Sequence, residues 1–400
     1  MDQAEIVKGA FLAVPLLLLG LKIIPGRWQT RLPAALVAGV VLGQLIAGIL
    51  PPGTLSYVVS FSTMASIYAV LALGLNCQWG YTGHLNFGIA GFFAVGAFTT
   101  ALFTTAQPTG MMANYTQQAF GLEMPFLIGI LAAAVVAGVV AFLIAIPVLR
   151  LRMDFLAIAT IGIAEIIRLI FQNERWLANG PQPLRGIPQP LHCLVDDPAC
   201  GPAFIQTWLE PLQARHYTFV YLVIVTLILA LVYILLETAT RSPWGRMLRA
   251  VRDEEASAGM NGKNVPGARI QSFVVGGAIM GLAGGLYAHY TVTIDYTHFR
   301  PLFATFIVWV MLMLGGSGNN KGAMLGAFII WGVWSGTSFL TGALDPALAA
   351  IHPDLPARSA YLRWLLVAIL LGGIVLFRPQ GLIPEESVVS RYLERRRASG

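Results

Sequence analysis

Charge is scarce in this 400-residue sequence: Asp, Glu, Lys and Arg together make up 11% of it. A soluble domain carries about 25%, and the deficit falls in long apolar runs, several near the roughly 20 residues that cross a hydrocarbon core. That excludes a soluble globular chain. The alternating segments of about ten residues that build an outer-membrane barrel are missing too. So is the G-x-x-x-x-G-K-[ST] loop that cradles a nucleotide's phosphates. Gly262–Lys263 lacks both the upstream Gly and the following Ser or Thr, and the run Gly315–Gly318 is followed by Asn319 and Asn320 where that loop needs Lys. The chain therefore does not hydrolyse ATP by itself. His-x-x-x-His and Gly-x-Ser-x-Gly patterns are absent, and no soluble-enzyme constellation remains. Cysteine is nearly absent: Cys77, Cys193 and Cys200 are the three. Nothing near them completes a four-ligand metal site, His192 being a lone candidate.

What is abundant is apolar. Hydrophobic residues make up 56% of the chain, and its mean hydropathy is +0.71. The 42 glycines suit membrane helices whose backbones approach closely. The fold class is all-α, a polytopic transmembrane helical bundle. Eleven crossings are expected, at 7–24, 33–50, 57–76, 85–106, 124–149, 155–171, 217–237, 270–290, 301–315, 322–341 and 361–377. The run at 301–315 is short for a full span and reads as a partial or tilted element. The first run has no convincing small-residue cleavage site after it and reads as a retained helix. Placing the C-terminus inside puts 17 of the 25 Lys and Arg in inner segments. By the positive-inside bias the N-terminus is then out and the C-terminus in. On the same grounds the net charge of +6 speaks of orientation, not of nucleic acid. One membrane domain over 1–385 is expected, with an inner loop at 238–269, a long outer loop at 172–216 and a basic inner tail at 386–400.

Cys193 and Cys200 lie in that outer loop, where an oxidising compartment permits a disulfide. Two free thiols or a metal site are the alternatives. Cys77, on the inner side, reads as an apolar filler. Between two apolar runs, Asn76, Tyr81, Thr82, His84 and Asn86 form a polar break. Irregular backbone at membrane depth is tolerated only against protein or a water-filled cavity. The segment thus either lines a path or makes a plain inner-side turn. Glu165 and Arg168 stand i, i+3 on one crossing and can pair on one face. Ionisable groups in a span usually face a bundle interior or cavity, so structural pairing competes with substrate contact. Gly277, Gly281 and Gly285 recur every four residues, as do Gly322 and Gly326, a spacing for close helix crossings. Trp79 and Trp176 read as interface anchors.

The inner loop is the most informative segment. Ser242 can cap a helix, with Pro243 at the first helical position. Trp244, Met247, Leu248 and Val251 then repeat at i, i+3, i+4, i+7, an apolar stripe. Arg246, Arg249, Asp253 and Glu254 occupy other faces, Glu255 extends the acidic end, and Gly259 and Asn261–Gly262 end the helix. Such a helix either lies in the membrane interface or docks into another protein and transmits force.

The stretch from Trp244 to Tyr287 resembles the cytoplasmic loop and following helix of the LivM-type permeases of branched-chain amino-acid ABC importers. Asn76 to Gly96, NCQWGYTGHLNFGIAGFFAVG, is similar to their early Gly-Tyr-Thr-Gly signature. Ala157 to Leu169, AIATIGIAEIIRL, is similar to their Glu…Arg helix, and Phe377 to Leu382, FRPQGL, to their usual ending. The four segments occur in register over about residues 57–385. Two departures stand out: Gly322–Ala323 where the family commonly has Gly-Pro, and Ala178–Asn179–Gly180 followed by Pro181–Gln182–Pro183 where it has Thr-Gly-Gly.

The resemblance implies a permease in a bacterial inner membrane, offering alternating access to a branched-chain or other hydrophobic amino acid. It implies a second homologous permease, two cytoplasmic ATPase subunits and a periplasmic substrate-binding protein as partners. ATP and Mg would be bound by the ATPases, and no cofactor or metal by this chain. On that reading 242–260 is the coupling helix, with Asp253, Glu254 and Glu255 facing the ATPase. Rival readings are an importer for urea or short amides and an ion-coupled secondary transporter or channel. The latter needs intramembrane ionisable groups, and only Glu165 and Arg168 are plausible.

Overall fold

The computed structural model describes residues 52–110, 116–191, 217–352 and 358–385. The expected crossings at 7–24 and 33–50, the cysteine pair Cys193 and Cys200, and the basic tail at 386–400 lie outside the described residues. Each of the other nine expected crossings is a helix. Helix α1 (Pro52–Leu75) runs on into a π-turn over Asn76–Gly80, and α2 (Ile89–Thr104) follows after a coil. Next come α3 (Phe126–Val148), α4 (Met153–Asn173) and the single turn α5 (Arg175–Ala178). Helix α6 (Tyr217–Arg241) leads into two short helices, α7 (Pro243–Asp253) and α8 (Glu255–Met260). The long α9 (Val265–Thr291) is followed by a π-turn over Leu302–Phe306, which opens α10 (Ile307–Gly315). The chain then forms α11 (Asn320–Ile351) and α12 (Leu362–Phe377).

Among the described residues, four helical segments are long and apolar enough to span a bilayer: Leu55–Gly80, Phe126–Val148, Tyr217–Arg241 and Val265–Thr291. Ile89–Thr104, Phe303–Gly315 and Leu362–Phe377 are shorter apolar helices. Phe303–Gly315, within the run at 301–315, is short, as the length of that run announced.

Helix α9 is the hub of the described bundle, and glycine makes it so. Without Cβ atoms two backbones can approach until main chain meets main chain. A Cβ at Gly276 would lie 2.7 Å from Gly74 O on α1, and one at Gly284 would collide with Phe93 O on α2. Gly277 and Gly281 sit on Ala141 and Ala137 of α3, and Gly285 sits on Ala133 of α3 and Thr100 of α2. Gly322 and Gly326 press on Gly315 O and Met311 O of α10. The four-residue glycine spacings thus mark close packing. Around this hub Phe92 and Phe93 of α2 meet Phe273 and Tyr287 of α9 edge-on or tilted, with ring centroids 5.7 and 5.2 Å apart.

The end of the bundle away from the α7–α8 loop is closed by small pairings. Leu184–Arg185 pairs antiparallel with Thr293–Ile294, and Tyr217 Oη donates to Pro190 O at 2.7 Å. The departure at Ala178–Asn179–Gly180 is a left-handed turn: Asn179 and Gly180 have φ of 67° and 60°. Asn and Gly tolerate that region best. Of the two tryptophans expected at membrane interfaces, Trp176 is exposed, and Trp79 is partly buried at the margin of the core, edge-on to Trp309 at 5.3 Å. Buried Asn86 O accepts the indole N–H of Trp309 at 3.0 Å, which satisfies the donor of that buried ring.

Candidate functional site

The sequence-predicted residues gather at the loop end of the bundle. The π-turn after α1 begins with Asn76, which is fully buried and bonded on both sides of its amide. Its Nδ2 donates to Asn320 Oδ1 at 2.9 Å, and its Oδ1 accepts from Gly318 N at 2.9 Å. Asn320 Nδ2 in turn donates to Glu237 Oε2 at 3.0 Å, and Glu237 pairs with Arg241 at 2.7 Å. One chain of polar groups therefore ties the ends of α1, α6 and α11 to the glycine turn between α10 and α11. Gly316 and Gly318 hold φ of 114° and 80° in that turn, a region side chains rarely allow. This is why the glycine run occurs here without a phosphate to cradle.

The coil between the π-turn and α2 is built the same way. Thr82 Oγ1 and Ser272 Oγ share a short hydrogen bond, and Ser272 Oγ donates to Cys77 O at 2.8 Å. Gln78 Nε2 donates to Phe273 O at 2.7 Å and Asn86 Nδ2 to Gln78 Oε1 at 2.6 Å, while Asn86 Oδ1 accepts from Gly88 N at 2.7 Å. His84 accepts at Nε2 from Arg269 Nε at 3.0 Å, so its proton sits on Nδ1, a buried atom without a partner among the described residues. Burial, and then the Arg269 cation, hold His84 down at about 3, so it stays neutral. The five residues of the polar break are all buried. In this conformation they tie helix ends together. A cavity of about 780 Å³ opens at the opposite end, against Met124, Phe126, Pro188, Pro190 and His289, and none of the seven path candidates lines it.

Glu165 and Arg168 sit apart from this network, on α4. They pair with each other at 2.5 Å; Arg168 also donates to Gln172 at 3.2 Å and lies over the Tyr296 ring at 5.6 Å. Glu165 keeps 38% of its side chain exposed and Arg168 keeps 14%. Glu165→Gln strands the more buried Arg168, so it should destabilise the protein more than Glu165→Gln combined with Arg168→Gln. Thermal unfolding of the four proteins in one detergent should give an interaction energy of about 1–3 kcal/mol. Additive losses would refute the pairing.

The α7–α8 loop is capped as its sequence foretold: Ser242 Oγ accepts from Trp244 N at 3.2 Å, with Pro243 in the first turn. Two features differ from the sequence expectation. The helix over 242–260 is broken at Glu254, which is extended at φ −157°. The break turns α8 so that Ala258 joins Leu248 and Val251 against Val265 and Ala268 at the start of α9. Secondly, the apolar stripe faces the chain's own body. Leu248 is fully buried and Val251 nearly so, Trp244 and Met247 pack at their margin, and Trp244 Nε1 donates to Gln271 Oε1 at 2.9 Å. Burial of that area against α9 stabilises the loop by about 25 cal/mol per Å². The outward surface carries Arg246, Asp253, Glu254, Glu255 and a bare Met260 that is 85% exposed.

Arg249 and Arg252 are partly buried, their side chains 23% and 25% exposed. Arg252 bonds Gly80 O and pairs with Glu385 at 2.9 Å and Asp253 at 3.2 Å. Burial works against its charge, yet Glu385 and Asp253 hold the cation above its ordinary pKa. Arg249 lies over the Tyr81 ring at 5.5 Å and reaches Glu385 at 3.4 Å. Glu255 pairs with Arg269 at 3.0 Å. Sequence reasoning missed Gln78, Glu237, Ser272, Asn320 and Glu385. The available signals were a carboxylate at the end of the α6 run and a pair of asparagines closing the glycine run.

A family model described as the permease component of branched-chain amino acid transport systems matches residues 57–375. The chain is 27% identical over 351 residues to a probable branched-chain amino acid transport permease protein LivM of Methanocaldococcus jannaschii, covering 82% of this chain and 94% of that protein. It is 28% identical over 332 residues to the high-affinity branched-chain amino acid transport system permease protein LivM of Escherichia coli, covering 82% and 70%. A guanosine ABC transporter permease protein, NupQ of Bacillus subtilis, is 27% identical over 283 residues, covering 69% and 78%. No solved structure matches. With a polytopic apolar bundle and a family match spanning its described helices, this chain is a multi-pass membrane transport protein and belongs to the permease components of branched-chain amino acid ABC transport systems.

Proposed function

We propose that this chain is the membrane-spanning subunit of an ATP-driven importer that moves branched-chain or other hydrophobic amino acids across a bacterial inner membrane. Its partners on this reading are a second homologous permease, two cytoplasmic ATPase subunits holding ATP and Mg, and a periplasmic substrate-binding protein. The N-terminus lies outside, the C-terminus inside, and eleven helices cross. The polar turn at Asn76, Tyr81, Thr82, His84 and Asn86 forms the inner closure of the path, with Glu165 and Arg168 nearer its outer part. Substrate choice belongs to the binding protein.

The observation that carries the reading is the orientation of α7 and α8. A helix lying in the membrane interface presents its apolar stripe to lipid. Here the stripe is turned inward, and Asp253, Glu254 and Glu255 face out with Met260. A charged rim beside one bare apolar side chain suits a protein groove, and charge complementarity fixes register there.

Reversing Asp253 and Glu254 to Lys adds repulsion to lost attraction. Uptake in proteoliposomes should fall by at least about tenfold and ATPase recovery on co-purification should drop, with insertion and yield unchanged. A variant that holds its ATPases and transports at the normal rate would sink the coupling assignment. A wild-type chain that recovers no ATPase and takes up substrate on an ion gradient would overturn the importer itself.

A further inference from the structure

The segment after α12 does not leave the bundle. It folds back under α10, where Leu382 N donates to Leu314 O and Ile383 N to Gly315 O, each at 2.9 Å. Asn319 Nδ2 donates to Pro384 O at 3.0 Å. A Cβ at Gly381 would collide with Gly316, one at Gly316 with Ile383 O, and one at Gly318 would lie 2.9 Å from the Glu385 side chain. Residues 381–385 are thus wedged against the glycine turn without room to slide. From that wedge Glu385 reaches across to the short helix α7, pairing with Arg252 at 2.9 Å and Arg249 at 3.4 Å. Arg252 also holds Gly80 O at the end of the π-turn, and the other side of that turn is bonded through Asn76 to Gly318 N.

We propose that residues 379–385 act as a strut, and that Glu385 is a positioning residue which passes movement of the α7–α8 loop to the glycine turn and the π-turn at the inner end of α1. The inference rests on the importer reading for its function, although the linkage itself does not. Three groups of backbone meet at one carboxylate: α7 through its two guanidiniums, the α10–α11 turn through the wedge, and the π-turn through Arg252. A displacement of α7 cannot leave Glu385 behind without exposing a half-buried carboxylate or arginine to an uncompensated site, so the turns move with it. Such a contact has a different consequence from a docking contact. Its loss leaves the ATPases bound and hydrolysing while the path ceases to follow.

The test compares the assembled transporter carrying Glu385→Gln with that carrying Glu385→Asp, the conservative change. In proteoliposomes Glu385→Gln should lower substrate moved per ATP hydrolysed about tenfold, a coupling loss within the usual range, with hydrolysis within about twofold of wild type and Glu385→Asp recovering much of the loss. Hydrogen exchange on the purified chain supplies a readout independent of any partner. Amides of 76–82 and 315–322 should exchange faster in Glu385→Gln. Uptake and hydrolysis falling together, or an unchanged ratio, would overturn the role in coupling. Faster exchange confined to 379–385 would overturn the strut even if the wild type shows no ATP-driven uptake, an outcome that separately removes the importer reading.

Discussion

Gly284→Leu should yield no folded protein: after extraction in mild detergent the variant elutes as aggregate on size-exclusion chromatography, whereas Gly162→Leu elutes with the wild type. At Gly284 an added Cβ collides with the carbonyl of Phe93 and lies 2.7 Å from the amide of Ala97. Both are main-chain atoms of α2, so no side chain can rotate out of the way. The two helices must separate along their crossing, and that also pulls Gly281 off Ala137 of α3 and Gly96 off Gly281. Overpacking in cores typically costs about 1–3 kcal/mol when side chains can adjust. Forcing backbones apart at a hub shared by α1, α2 and α3 costs more, against a total stability of about 5–15 kcal/mol. Gly162 on α4 has open space where its Cβ would go, which makes it a control for the chemistry of the substitution. A folded, monodisperse Gly284→Leu protein would mean that α2 and α9 do not cross at these residues.

The second large effect is expected at Asn76. Asn76→Leu removes the acceptor for Gly318 N and the donor for Asn320 Oδ1. Both partners are buried and no water can replace Asn76 without opening the turn. Each orphaned group costs about 1–3 kcal/mol, so the loss is about 2–6 kcal/mol before any repacking. The unfolding midpoint should drop by at least about 5 °C. Asn320→Leu strands Asn76 Nδ2 and releases the Glu237 carboxylate, so the two changes share a network. The double variant should therefore lose less than the sum of the singles. A midpoint within about 1 °C of wild type for Asn76→Leu would show that the α1, α6 and α11 ends are not joined through this residue.

Local rules were legible in the sequence because they act over a few residues. The break at Asn76 to Asn86 was visible as a polar interruption of two apolar runs. The cap at Ser242, the stripe through Leu248 and the stop at Asn261–Gly262 follow from helix-end chemistry and the 3.6-residue period. The i, i+3 pairing of Glu165 with Arg168 needs only a helix. Glycine spacing announced where backbones approach, though not which backbones.

The inward turn of the α7 stripe, the ties of Asn76 and the reach of Glu385 to Arg252 were not legible. Each joins residues far apart in the chain: Asn76 and Asn320 are separated by 244 positions. Helices such as α3 are apolar on every face, so no stripe tells which side meets the protein. Without that, the order of helices around the bundle, and so the polar partners at their ends, cannot be deduced from local pattern. What the sequence by itself determined is a membrane-borne helical chain with a capped polar loop at one end, because apolar length and helix-end chemistry are local properties. Only the tertiary structure decided that the loop turns its apolar side inward and its acids outward, because that orientation depends on where α9 and the 379–385 segment stand when the bundle closes.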